Sequence, residues 1–74
     1  MIAIYTVVDN AVVAVGRTDA EAWRNAEFWW DEDEAGCTIA EAFETGAVDT
    51  QDVEATQLES QYVDGNWIPY LAMP

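Results

Sequence analysis

Hydrophobic and polar positions along the chain fall into four patterned stretches separated by turn residues. Ile2–Val8 is rich in β-branched and aromatic side chains, and Val12–Gly16 resumes that character after Asp9-Asn10. Asp and Asn both tolerate positive φ, so the pattern predicts a β-hairpin with strands over 2–8 and 12–16. Thr18-Asp19-Ala20-Glu21 then has the spacing of a capping box, which starts a helix at Asp19. On a helical wheel Ala22, Trp23, Ala26, Trp29 and Trp30 share one arc of about 120° and form the expected core stripe. Phe28 falls on the opposite side, beside Glu21, Arg24 and Asp31, so it is expected to be exposed, covered by a second layer or at an interface.

The helix is expected to end or fray at Asp31–Glu34, because its C-terminus disfavours negative charge. Ala35-Gly36-Cys37 makes the break. Thr38-Ile39-Ala40-Glu41 repeats the capping-box spacing and opens a helix of about two turns through Glu44, with Ile39, Ala42 and Phe43 as its apolar stripe and Gly46 closing it. Ala47–Asp52 reads as a loop. From Val53 to Val63 the pattern alternates, and Asp64-Gly65 is a strong turn signal before Asn66–Leu71. A two-residue turn there pairs Tyr62 with Trp67, Leu58 with Leu71, Glu59 with Tyr70 and Gln61 with Ile68. Pro69, lacking an amide hydrogen, puts the last strand at a sheet edge. The expected fold is therefore a single α+β domain over residues 1–74: a four-stranded antiparallel sheet of two hairpins, with one long and one short helix on one face.

Charge changes this picture most. Fifteen Asp and Glu stand against Arg17 and Arg24, with no Lys and no His, for a formal net charge of −13. No basic side chain follows Arg24. A surface of one sign repels nucleic acid and anionic membrane and is drawn toward basic surfaces. Four Trp, three Tyr and two Phe separate the chain from disordered acidic tails, which are poor in aromatics. The start of the chain, Met1-Ile2-Ala3-Ile4-Tyr5, lacks a basic segment and a long apolar run, so neither a signal peptide nor a membrane span is expected, and the expected location is the cytoplasm.

Candidate chemistry is sparse. With no His or Lys, and with Ser60 lacking a nearby base, the parts of nucleophilic catalysis are missing, and a non-enzymatic role without a cofactor is expected. The lone Cys37 excludes an internal disulfide and reads as a small, part-buried apolar residue. Asp31-x-Asp33-x-x-Gly36 matches three positions of a twelve-residue calcium loop. The match then fails at Ala35, where an oxygen ligand belongs, and at Ala42, where a bidentate Glu is required, so no metal site is expected.

What stands out is Glu27-Phe28-Trp29-Trp30-Asp31-Glu32-Asp33-Glu34, three aromatics followed by four carboxylates. Adjacent acids contribute nothing to an apolar core. Carboxylates at helical or strand spacing lie about 5–7 Å apart, near the spacing of successive phosphates, and Glu27 with Asp31 and Glu41 with Glu44 have the helical spacing. In length, charge, lack of Lys and compact α+β patterning around this segment, the chain resembles the small acidic inhibitors that phages encode against bacterial defence, the anti-CRISPR proteins and other DNA mimics. The resemblance covers general character and no motif. It implies occupation of a Lys- and Arg-rich nucleic-acid-binding surface, such as that of a CRISPR effector complex in the host cytoplasm. Acids would then stand in for phosphates and Phe28 or a neighbouring Trp would serve as anchor. The expected partner-binding residues are Glu27, Phe28, Asp31, Glu32, Asp33, Glu34, Glu41 and Glu44. Two alternatives are a domain adapted to molar intracellular salt, whose charge reflects solvation, and a homo-oligomer such as a homodimer that buries the surplus aromatics.

Overall fold

The computed structural model describes residues 1–54, together with the backbone of 58–63 and 66–71. It is an α+β structure. The elements run β1 (Ile2–Thr6), β2 (Val12–Gly16), α1 (Asp19–Trp29), α2 (Glu32–Ala35), α3 (Ile39–Thr45), β3 (Val48–Asp52), β4 (Leu58–Val63) and β5 (Asn66–Leu71).

β1 is the middle strand of a three-stranded antiparallel sheet ordered β2-β1-β3. It pairs with β2 from Ile2↔Gly16 to Tyr5↔Val12, with a register shift between Ile4 and Tyr5, and with β3 from Ile2↔Asp52 to Thr6↔Val48. The first strand is shorter than its apolar run. It stops at Thr6, whose carbonyl accepts from Asn10 N at 2.8 Å while its own N–H donates to Ala11 O at 2.9 Å. Asn10 takes the positive φ of 58° that this loop needs. Val7 leaves the hairpin and donates its N–H to Ala47 O.

Two expectations fail together. The segment read as a loop over Ala47–Asp52 contains β3, and the two hairpins do not share one sheet, because β4 and β5 form a separate two-stranded sheet. β3 escaped notice because its composition is that of an edge strand with a solvated face. Val48 is buried and Thr50 half-buried, while Asp49, Gln51 and Asp52 are exposed. The β4–β5 register is the expected one, including Tyr62↔Trp67 and Leu58↔Leu71, with Pro69 opposite Ser60. The Asp64-Gly65 turn lies outside the described residues.

α1 and α3 cover the same face of the three-stranded sheet. Ile4 and Ala14 from the sheet, Ala22 and Ala26 from α1, Ile39 and Ala42 from α3, and Val48 from β3 form one buried cluster. This core is built from small residues, and it requires close approach. A Cβ on Gly16 would lie 2.3 Å from Ala22 N and 2.8 Å from its Cα, so glycine is what lets α1 settle on the end of β2. Asn25 fastens the same contact, its Nδ2 donating to Val15 O at 2.9 Å. On the other face Ala3 and Val53 are buried among Tyr5, Val12 and Val15.

Both helix starts follow the expected chemistry. Thr18 Oγ1 accepts from Glu21 N at 3.2 Å, although the Glu21 carboxylate accepts from Arg17 N, one residue earlier than a full box would have it. At Thr38 the box is complete. Gly46, with φ 85°, ends α3 in the left-handed conformation, as expected of a glycine at that position.

Candidate functional site

The acidic segment owes its shape to a helix that stops early. α1 ends at Trp29, and Trp30 turns extended (φ −79°, ψ 123°) while still donating its N–H to Ala26 O. Asp31 then opens a new helical turn instead of closing the old one. Its Oδ1 accepts from Asp33 N and Glu34 N, both at 3.1 Å, which makes it the N-cap of α2, and Gly36 closes that turn at φ 78°. The helix thus ends before Asp31, as expected, and the four acids start a new turn instead of fraying. Glu32, Asp33 and Glu34 occupy the first turn of a separate helix, where backbone N–H groups point toward them.

Glu32, Asp33 and Glu34 are exposed, and among the described residues their carboxylates have no hydrogen-bond or ion-pair partner. Arg17 and Arg24, the two basic side chains, form no ion pair with Asp31, Glu32, Asp33 or Glu34. The described ion pair joins the N-terminal ammonium to Asp52 at 3.2 Å. The patch beside α2 is therefore uncompensated negative charge.

Aromatic surface adjoins it. Phe28 is 79% exposed, as its wheel position implies, and Trp29 is 70% exposed, against its assignment to the core stripe. Their rings meet edge to face with centroids 5.2 Å apart. Trp29 is displaced from the core because Trp30, released by the end of the helix, takes the inner place; Trp30 is half-buried and its Nε1 donates to Cys37 O at 2.8 Å. Trp29, Trp30, Asp31, Glu34 and Ala35 line an open crevice of about 340 Å³, so carboxylates and indoles share one concave surface.

Other expected partner-binding residues are dispersed. Glu27 belongs to a second groove, of about 470 Å³, between α1 and α3, lined by Asp19, Trp23, Glu27, Ile39, Ala40, Phe43 and Thr50. Its helical spacing from Asp31 is not realised, since the helix ends between them. Glu41 and Glu44 do lie on one helix, but Glu41 Oε1 is engaged by Thr38, accepting from its N at 3.3 Å and its Oγ1 at 3.2 Å. Glu44 is exposed and unengaged among the described residues. Asp19, Trp23 and Phe43 were not anticipated as site residues. The spacing Asp19, Trp23, Glu27, each four apart, was the available signal, since it stacks a carboxylate, an indole and a carboxylate along one helical stripe.

Asp31 also bears on the calcium-like pattern, because its Oδ1 is occupied as a helix cap, and no group of three or more potential ligands assembles among the described residues. No helix among them is long and apolar enough to cross a membrane. No family model matches the sequence, and no curated protein or solved structure matches it.

Proposed function

We propose that this chain is a non-enzymatic inhibitor that occupies a basic nucleic-acid-binding surface of a defence or other nucleic-acid-handling complex, in the manner of the anti-CRISPR DNA mimics. One observation carries the reading: three exposed carboxylates on α2, unpaired among the described residues, stand beside an exposed Phe28–Trp29 pair and a crevice lined by Trp29, Trp30, Asp31 and Glu34. Like charges gathered on one turn repel one another, and a Lys- and Arg-rich surface turns that repulsion into attraction. Exposed aromatics beside them supply the apolar anchor that interfaces favour at their centre.

Within this reading Glu32, Asp33 and Glu34 act as phosphate surrogates, Phe28 and Trp29 as anchors, and Asp31 holds the turn in shape. Glu27 and Glu44 extend the negative field, and Glu41 is the weakest member because its carboxylate is spent on Thr38. Self-association through Phe28 and Trp29 is the second reading that the exposed pair favours, and the adjacent carboxylates oppose it.

The test is capture from a bacterial lysate on immobilised protein, followed by elution with duplex DNA. Proteins retained by the natural chain, released by DNA and lost on an E32Q/D33N/E34Q variant support mimicry. Retention that neither DNA nor neutralisation disturbs would remove it.

A further inference from the structure

The groove between α1 and α3 is separate from the α2 crevice and has a different composition. Trp23 and Phe43 meet in it at 5.1 Å between centroids and 82° between planes. In that perpendicular arrangement one ring offers its edge to the face of the other, and Trp23, half-buried against the core, leaves the rest of its indole toward the groove. Asp19 and Glu27 flank Trp23 one helical turn to either side, about 12 Å apart along the axis, and both are exposed. Neither carboxylate has a hydrogen-bond or ion-pair partner among the described residues. Ile39 and Ala40 supply an apolar wall from α3, and Thr50 lines the groove from β3.

We propose that this groove is a pocket for an arginine side chain. The proposal rests on the reading of the chain as a ligand for a basic surface, and it names one group of that surface and the place where it docks. An indole beside carboxylates that have no partner among the described residues suits a cation that is planar and weakly hydrated. A guanidinium stacks on an indole and can present N–H groups to a carboxylate in the same plane, whereas a lysine ammonium is compact and strongly hydrated. The groove's volume, about 470 Å³, is ample for one such side chain with its aliphatic stem against Ile39 and Ala40.

The experiment is an NMR titration of the ¹⁵N-labelled chain with N-acetylargininamide, its neutral isostere N-acetylcitrullinamide, and N-acetyllysinamide. The Trp23 indole N–H and the Ala40 and Thr50 amides should shift saturably with the arginine derivative, at least about ten-fold more tightly than with either of the others. A D19N/E27Q variant, with the Trp30 indole signal unchanged as evidence of folding, should weaken that binding about ten-fold. Equal binding of all three compounds, or arginine shifts confined to the Asp33 and Glu34 amides, would overturn the proposal. Because the probe is a free amino-acid derivative, the outcome is independent of lysate capture. Failed titration with DNA-displaceable capture intact removes the arginine pocket alone, and a successful titration without such capture removes the mimicry alone.

Discussion

Trp30 Nε1 donates a 2.8 Å hydrogen bond to the carbonyl of Cys37, and everything between those residues is the acidic turn. The bond spans the junction from the end of α1 to the start of α3, so the position of the carboxylates depends on one indole. Trp30→Phe keeps an aromatic ring but removes the indole N–H and some of its packing, leaving the part-buried Cys37 carbonyl without its donor, at a cost of at least about 1 kcal/mol. For a domain this small, that lowers the urea midpoint by at least about 1 M. The amides of Asp33 and Glu34 should also shift. An unchanged midpoint together with unchanged amides would show that the indole bond does not hold the turn.

Gly16→Ala should be among the most damaging single substitutions outside the aromatics. Its Cβ would meet the backbone of Ala22 and Glu21, which cannot give way as the end of a flexible side chain can. A loss of about 1–3 kcal/mol is expected, read as a drop in thermal midpoint by circular dichroism. A variant as stable as the natural chain would mean that α1 stands off β2 by more than the structure shows.

Asp31→Ala removes a cap and little else. Asp33 N and Glu34 N lose their acceptor, so their amide hydrogen exchange should quicken to near the rate of an unstructured peptide, while global stability changes by at most about 1 kcal/mol. Asp31 is thus a poor choice for probing charge alone, since its substitution alters shape as well. Glu32, Asp33 and Glu34 are the clean probes.

Salt separates mimicry from adaptation to brine. At about 0.01 M ionic strength, screening extends over roughly 30 Å, and a net charge of −13 is felt across the whole domain. The packed cluster around Ile4 and Val48 should hold the chain folded there, with far-ultraviolet circular dichroism unchanged between about 0.01 M and 1 M salt. Unfolding in dilute buffer with recovery in molar salt would favour solvation as the origin of the charge.

Local chemistry was the readable part of this sequence. Thr18 and Thr38 as helix starts, Gly46 as a stop and the β4–β5 register all depend on neighbours in the chain, and they stand as read, whereas the first hairpin turns over residues 7–10 rather than over Asp9-Asn10 alone. β3 did not, because an edge strand needs only Val48 and Thr50 to face inward and its other residues look like loop. Trp29 was misplaced for a related reason. Wheel geometry assumes that the helix continues, and here it ends at the point where Trp29 and Trp30 compete for one inner place. The acidic patch was legible in composition, but its separation from α1 and its cap at Asp31 depend on that same stop.

DNA-displaceable capture is the most direct measurement of mimicry. Natural chain and an E32Q/D33N/E34Q variant, each immobilised and exposed to the same bacterial lysate, are eluted first with duplex DNA and then with salt. Mimicry predicts a protein released by DNA from the natural chain and missing from the variant. A retained protein that DNA leaves in place, or that binds both chains equally, would contradict it.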